Sequence, residues 1–320
     1  MVLSRIEYPA GNFPRQERIE SGPFSLDDEA AYQRWRAWKL EGYPVRAEDL
    51  IVEVGDPRAL TKAEEQELTR VCAKANMAVY ASRTGGLEDK SIPRLIGERF
   101  GLHRLDANLL ADEDSISSLR VTAGKSGRGY IPYSNQRLLW HTDGYYNPPA
   151  QAIEGMVLHC VYPAESGGEN ALLDHEIAYI LMRDAVPHCV QALMADDAMT
   201  IPANSEAGGQ QRPAQSGPVF MVSRQNGSLL MRYTARTRSI LWKENADTRE
   251  AVQYLSRLLD EQTPYLFRHR LEAGQGLLCN NVLHNRSGFA DSEKQGQCRL
   301  LYRARSFDRV ARTGLDMIYG

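Results

Sequence analysis

Residues 116–305 form a succession of short apolar and aromatic stretches, each cut off by Gly, Pro, Asn or Asp. Stretches of that length suit strands better than helices, and the turn residues between them fold successive strands back on one another. Residues 116–123, 131–140, 155–161, 171–173, 219–222, 229–233, 265–271, 276–284 and 299–305 read this way. Many short strands with few helices between them predict a sandwich or barrel.

Ahead of residue 116, helices and strands mix. An acidic start near Asp27 and Asp28 opens a helix reaching about residue 40. Thr61-Lys-Ala-Glu64 is a capping box that opens a second, and residues 92–100 make a third. Residues 50–54 and 77–81 read as strands, and residues 1–25, broken by Pro and Gly, as an extended arm. A helix over 176–184 follows Asp174 as its cap, and another over 247–259 follows Asn245 or Asp247. One domain over 1–320 is expected. Its elements at 1–115 would pack on a β core at 116–310, with a lid or insert at about 170–260. Residues 196–228, rich in Pro, Gly, Gln and Ser, would be its loop.

Composition excludes several classes. The 38 basic and 41 acidic residues are mixed along the chain and leave a net charge of −3, so no basic face for nucleic acid is expected. No apolar run is long enough for a membrane span, and the first residues lack the apolar core of a signal peptide. Five cysteines (72, 160, 189, 279, 298) without a Cys-x-x-Cys pair read as reduced packing residues, and no zinc site built from them is expected. A cytoplasmic location is the expectation. Lys125-Ser126 lacks the glycine that a phosphate loop needs, because Leu119 stands there, so residues 124–129 read as a flexible turn or lid. His159, inside an apolar run, reads as a core histidine.

The chemistry lies in Trp140-His141-Thr142-Asp143-Gly144. On a strand, residues two apart point to one side, so His141 and Asp143 converge while Thr142 turns away. With His284, from Asn280-Asn281-Val282-Leu283-His284, they would make two imidazoles and a carboxylate on one face of a ferrous ion, the opposite face staying open. Seven histidines and 41 acids in 320 residues give about 0.9 His-x-acid pairs by chance. The pair therefore needs company. Strand parity adds Arg137 and Leu139 to the face of His141, and Tyr145 and Tyr146 would form a loop at the mouth. Arg236 and Arg238, bordering the insert, line the pocket or a solvated face.

Several motifs now stand in one order. They are Trp140-His-Thr-Asp143, the turn Pro163-Ala-Glu-Ser-Gly-Gly-Glu-Asn170, Gly274-Gln-Gly…Asn281-Val-Leu-His284-Asn-Arg286, and Arg299-Leu-Leu-Tyr-Arg303. Together they resemble the TauD/TfdA family of Fe(II)- and 2-oxoglutarate-dependent dioxygenases, over roughly residues 45–310. The resemblance implies a mainly β fold with flanking helices, built on a double-stranded β-helix (jelly roll) core. It implies Fe(II), 2-oxoglutarate as cosubstrate and O2, with succinate and CO2 released as a small substrate is hydroxylated.

Residue roles follow from the same resemblance. His141, Asp143 and His284 would hold iron. Arg299 would pair in bidentate fashion with the distal carboxylate of 2-oxoglutarate. Asn170 takes the family's threonine position there, a departure in which an amide still donates. Arg303, and by parity Arg305, would meet the substrate or the cosubstrate's other end, and Arg137 stands where relatives place a polar substrate contact. These cations favour an anionic substrate: an amino acid, carboxylate or sulfonate. Halogenating relatives lack the carboxylate and so leave room for chloride, so Asp143 argues for hydroxylation, or for desaturation or oxidative cleavage that begins with the same hydrogen abstraction. Homodimers or homotetramers are the assemblies the family implies. The rival readings are a non-catalytic metal-binding jelly-roll module and a zinc-dependent hydrolase on the same three side chains.

Overall fold

Two β-sheets face each other, and the chain crosses between them strand by strand. The computed structural model describes residues 21–107, 115–121, 131–204, 212–223, 225–261, 263–291 and 298–315. Ten strands build the two sheets: β1 (Ile51–Glu53), β2 (Met77–Ala81), β3 (Ile116–Leu119), β4 (Leu138–His141), β5 (Gly155–Tyr162), β6 (Asn170–Leu173), β7 (Phe267–His269), β8 (Gln275–Cys279), β9 (Leu283–Arg286) and β10 (Leu300–Ser306). The larger sheet has the order β1-β2-β8-β5-β10-β3, and the smaller has β7-β6-β9-β4. Chain order alternates between them: β3 lies in the larger, β4 in the smaller, β5 in the larger, β6 in the smaller. Residues 267–306 repeat the alternation through β7, β8, β9 and β10. This is the double-stranded β-helix, with helices outside it.

The expected helices form for the reasons expected. Asp28 caps α1 (Glu29–Leu40), and its carboxylate accepts from the Ala31 amide. Thr61 and Glu64 close a capping box on α2 (Lys62–Ala75). α3 (Ser91–Arg99) packs on β5 and β10. Asp174 caps α4 (His175–Ala185), and Asn245 caps α6 (Ala246–Asp260). Pro187 opens a helix that the sequence did not announce, α5 (Pro187–Leu193).

Three expected elements differ. Residues 131–140 are not one strand: Ile131–Tyr133 is a single 3-10 turn, and only Leu138–His141 is extended. Pro132 has no amide to give a ladder, and Ser134 Oγ folds back to donate to the Ile131 carbonyl. Residues 276–284 split into β8 and β9, which lie in different sheets. The break falls at Asn280 and Asn281, whose side chains bind neighbouring backbone instead of continuing a ladder. The stretch 196–228 holds more than loop and the expected strand at 219–222, because Met199–Ile201 and Gln215–Gly217 are strands of a small sheet. The arm through residue 20 and the turn at 124–129 lie outside the described residues.

A buried ion cluster ties the outer helices to the core. Lys39 of α1 is fully buried, 2.7 Å from Asp174 and 2.6 Å from Glu176 at the start of α4. Tyr43 donates to Asp174, and Arg309 lies 3.8 Å from Glu176. Desolvation works against the Lys39 charge, but the two carboxylates outweigh it and hold the ammonium above its usual range. Lys39→Met would leave two buried carboxylates without their nearest cation. Urea denaturation is expected to show a loss of about 3–5 kcal/mol.

Candidate metal centre

His141 ends β4 and His284 stands opposite it in β9, paired in register across the smaller sheet. Cross-strand partners share a face, and the two rings lie 4.2 Å apart, tilted by 52°. Asp143 reaches the same place from the turn beyond β4. Its Oδ1 lies 3.8 Å from His141 Nε2, and donor atoms of His141, Asp143 and His284 all fall within 4.8 Å of one another. All three side chains are buried.

The backbone between the two β4-end donors is fixed on both sides. Thr142 turns away as its place in the alternation requires, and its hydroxyl accepts from the Tyr233 amide. Gly144 has φ +68°, and a side-chain carbon there would sit 2.4 Å from Ile153 Cγ1, so only glycine makes this turn. Asn281, just ahead of His284, grips Asp143 by both peptide groups. Its Oδ1 accepts from the Asp143 amide at 2.8 Å, and its Nδ2 donates to the Asp143 and Ile153 carbonyls at 2.9 and 2.7 Å.

Electrostatics leave the donors ready for a cation. His141 Nδ1 lies 2.9 Å from the Leu139 carbonyl, and His284 Nδ1 lies 2.9 Å from the Val282 carbonyl. A carbonyl only accepts, so each Nδ1 carries the proton and each Nε2 keeps its lone pair. Burial pushes His141 down to about 3, with His284 adding to the effect. His284 is also lowered, chiefly by burial. Burial opposes the charge on Asp143, but Arg303 and then Arg305 outweigh it and hold the carboxyl well below its usual range. At neutral pH the set is therefore two neutral imidazoles and one carboxylate. Nitrogen and oxygen donors in that ratio fit ferrous iron.

The arginines sort into distinct positions. Arg303 lies 3.1 and 3.2 Å from the two Asp143 oxygens. Arg305 points to the same side: it donates to Tyr146 Oη at 3.0 Å and pairs with Asp106. Arg299 is buried, and its guanidinium lies 4.9 Å over the Phe289 ring. Arg286, opposite Asn170 in the β6–β9 pair, lies 4.7 Å from the same ring and donates to the Ser134 and Gln136 carbonyls. Among the described residues no carboxylate forms an ion pair with Arg299. Burial lowers the pKa of Arg299, and burial followed by the Arg299 charge lowers that of Arg286. Two buried cations flanking one ring fit an anion at Arg299. The glycine turn supports it from behind: a side-chain carbon on Gly168, at φ +76°, would sit 3.8 Å from Arg299 Nε.

Other expected residues fall elsewhere. Arg137 is exposed in the bend before β4, so the parity argument for it fails with the strand that carried it. Arg238 is exposed and Arg236 half-buried, in and beside a single 3-10 turn. Tyr145 meets the His141 ring edge-on at 6.4 Å, and Tyr146 lies beside it at 5.3 Å. Sequence reasoning assigned no task to Asn281 or Arg232. Arg232 is buried and donates to the carbonyls of Tyr145, Met199 and Gln215, so it fixes the tyrosine loop against the strands of the insert. The Asn280-Asn281 pair before His284 was the one available signal for the first. An arginine inside Leu229–Tyr233 was the signal for the second.

Comparison with known proteins now bears on this geometry. The model of a family described as taurine catabolism dioxygenase TauD, TfdA family matches residues 93–305. The chain belongs to the TauD/TfdA family. It is an Fe(II)- and 2-oxoglutarate-dependent oxygenase. Among curated proteins, none matches the chain in sequence. Solved structures share the TauD-like fold at low identity. Asparagine oxygenase in complex with Fe(II), 2S,3S-3-hydroxyasparagine and succinate is 16% identical at a TM-score of 0.53, with 76% of this chain and 77% of that chain covered. The non-haem iron oxygenase OrfP in complex with Fe and alpha-ketoglutaric acid is 16% identical at a TM-score of 0.56, with 78% and 81% covered. PvcB from Pseudomonas aeruginosa is 14% identical at 0.51, with 80% and 84% covered.

Asn281→Ala would strip three backbone groups of a buried partner. Thermal or urea unfolding is expected to register about 1–3 kcal/mol of destabilisation, while Asn281→Asp, which sets a buried carboxylate oxygen against the Asp143 and Ile153 carbonyls, is expected to lose more.

Proposed function

We propose that this oxygenase binds iron through His141 Nε2, Asp143 and His284 Nε2, and that it hydroxylates a small anionic substrate of the amino-acid, carboxylate or sulfonate class. The observation that carries the reading is a buried three-donor cluster, in a chain that also buries an Arg299 lacking a carboxylate partner among the described residues.

Iron and 2-oxoglutarate, when bound, supply O2 activation coupled to oxidative decarboxylation. The chain's own residues do the rest. Leu139 and Val282 carbonyls hold the Nδ1 protons and aim both Nε2 atoms inward. Arg303 keeps Asp143 ionised and fixes its rotation, acting on the metal through the carboxylate. Arg299 offers a planar fork to the distal carboxylate of 2-oxoglutarate, and Asn170, half-buried at the start of β6, supplies an amide donor for the same group. Burial of the donors excludes bulk water from the reacting face.

The substrate reading rests on the cations around Tyr146. Arg305 donates to its hydroxyl, and the Arg212 guanidinium lies 5.6 Å from its ring. Arg212 donates to the Tyr146 and Pro202 carbonyls and pairs with no carboxylate among the described residues. Its charge is thus unmatched at the tyrosine loop, where a substrate carboxylate or sulfonate would neutralise it. Structures of related fold hold 2S,3S-3-hydroxyasparagine and (3S)-hydroxy-L-Arg, which are hydroxylated amino acids.

With Fe(II), ascorbate and 2-oxoglutarate in air, the protein is expected to form succinate, faster when the right member of a panel of amino acids, sulfonates and small carboxylates is present. His141→Ala is expected to abolish succinate formation, and unchanged turnover would refute the ligand assignment. Arg299→Ala is expected to raise the KM for 2-oxoglutarate on the order of ten- to hundredfold, the loss of a charge-assisted pair. An unaltered KM would remove Arg299 from the cosubstrate site.

A further inference from the structure

A second set of metal-ligating side chains stands on the outer helices. His188 and Cys189 lie in the first turn of α5, and Glu250 lies in α6, which packs against it. His188 Nε2 is 3.1 Å from Glu250 Oε2, and Cys189 Sγ is 3.6 Å from the same nitrogen. One donor atom from each of the three falls within 4.8 Å of the others. A tetrahedral zinc ion with bonds of ~2.3 Å to sulfur, ~2.05 Å to nitrogen and ~2.1 Å to oxygen spaces its donors about 3.6 Å (S to N) and about 3.4 Å (N to O) apart. The two measured edges match that figure within a few tenths of an ångström.

We propose that His188 Nε2, Cys189 Sγ and the Glu250 carboxylate form a site for a zinc-class cation, which clips α5 to α6 with water as the fourth ligand. The Cys189 side chain is buried, whereas those of His188 and Glu250 are 48% and 51% exposed, so the ion would sit at the surface with one position open to solvent. The Asp247 carboxylate, one turn before Glu250, acts on the same sulfur and adds negative potential. Burial, followed by Glu250 and Asp247, pushes the Cys189 thiol up to about 11. The metal-free thiol is therefore protonated at neutral pH. Binding forms one metal–sulfur bond and releases that one proton to solvent, with no change of oxidation state.

Donor chemistry separates this site from the one at His141. Two imidazoles and a carboxylate offer nitrogen and oxygen only, whereas the α5–α6 set includes a thiolate. Sulfur selects zinc over ferrous iron, and zinc also stands above ferrous iron in the general affinity order. One chain can therefore sort two metals by softness.

Cobalt(II) tests this directly, because only a thiolate ligand gives it an intense near-ultraviolet charge-transfer band. Titrating the metal-free full-length protein with Co(II) is expected to raise such a band, to saturate it at one ion per chain in the band-forming phase, and to lose it on adding Zn(II). The band is expected to persist in Cys298→Ser, which alters the exposed cysteine, and to vanish in Cys189→Ser. Should the buried Cys189→Ser protein fail to fold, the exposed variants His188→Ala and Glu250→Gln carry the test, each weakening Co(II) binding read at the band by about tenfold or more. Iron-dependent succinate formation is expected to continue in both. The proposal is overturned if the wild type gives no thiolate band, if the band survives Cys189→Ser, or if His188→Ala and Glu250→Gln bind Co(II) as tightly as the wild type.

Discussion

One register holds the centre together: His284 of β9 lies opposite His141 of β4. Side chains alternate along a strand, so a slip of one residue in either strand would turn its imidazole out of the core and leave the other without its partner. The slip is prevented at both ends. Asn281 locks the peptide of Asp143 to the entrance of β9, and Arg286 anchors the far end to the Ser134 and Gln136 carbonyls. The same two residues that fix the register also limit where the third donor and the cationic wall can stand.

The opposing sheet answers with charge. β10 presents Arg303 and Arg305 toward Asp143 and Tyr146, and Arg299 stands just ahead of its first residue. Three buried arginines in and just ahead of one strand would be costly without compensation. Asp143 and Asp106 neutralise two of them. The third, Arg299, pairs with no carboxylate among the described residues.

The sequence carried the alternation of short strands, the spacing of His141 and Asp143, and the parity of Arg303 and Arg305, because each is a local periodicity. It also carried the caps at Thr61, Asp174 and Asn245, where one side chain binds an amide two or three residues on. What it did not carry is non-local. The tie from Asn281 to Asp143 joins residues 138 apart in the chain, and no pattern within either segment encodes it. Arg137 was misplaced because Pro132 and Ser134 end the strand whose alternation located it. The Pro187 helix was hidden by its shortness, since seven residues leave too few turns for an apolar stripe to repeat.

β6 and β7 are hydrogen-bonded neighbours, yet α4, α5, α6 and the small sheets all lie between them in the chain. Closing so long a loop is entropically unfavourable at first, though each doubling of its length adds only about 0.6 kcal/mol. Helices that condense early on their own local contacts shorten the effective span before the strands meet. On a ribosome, β6 would emerge with neither sheet neighbour made and wait until β7 and β9 follow. The three donor side chains thus come together only when β9 pairs with β4, and an ion that reaches the nascent chain sooner finds the set incomplete.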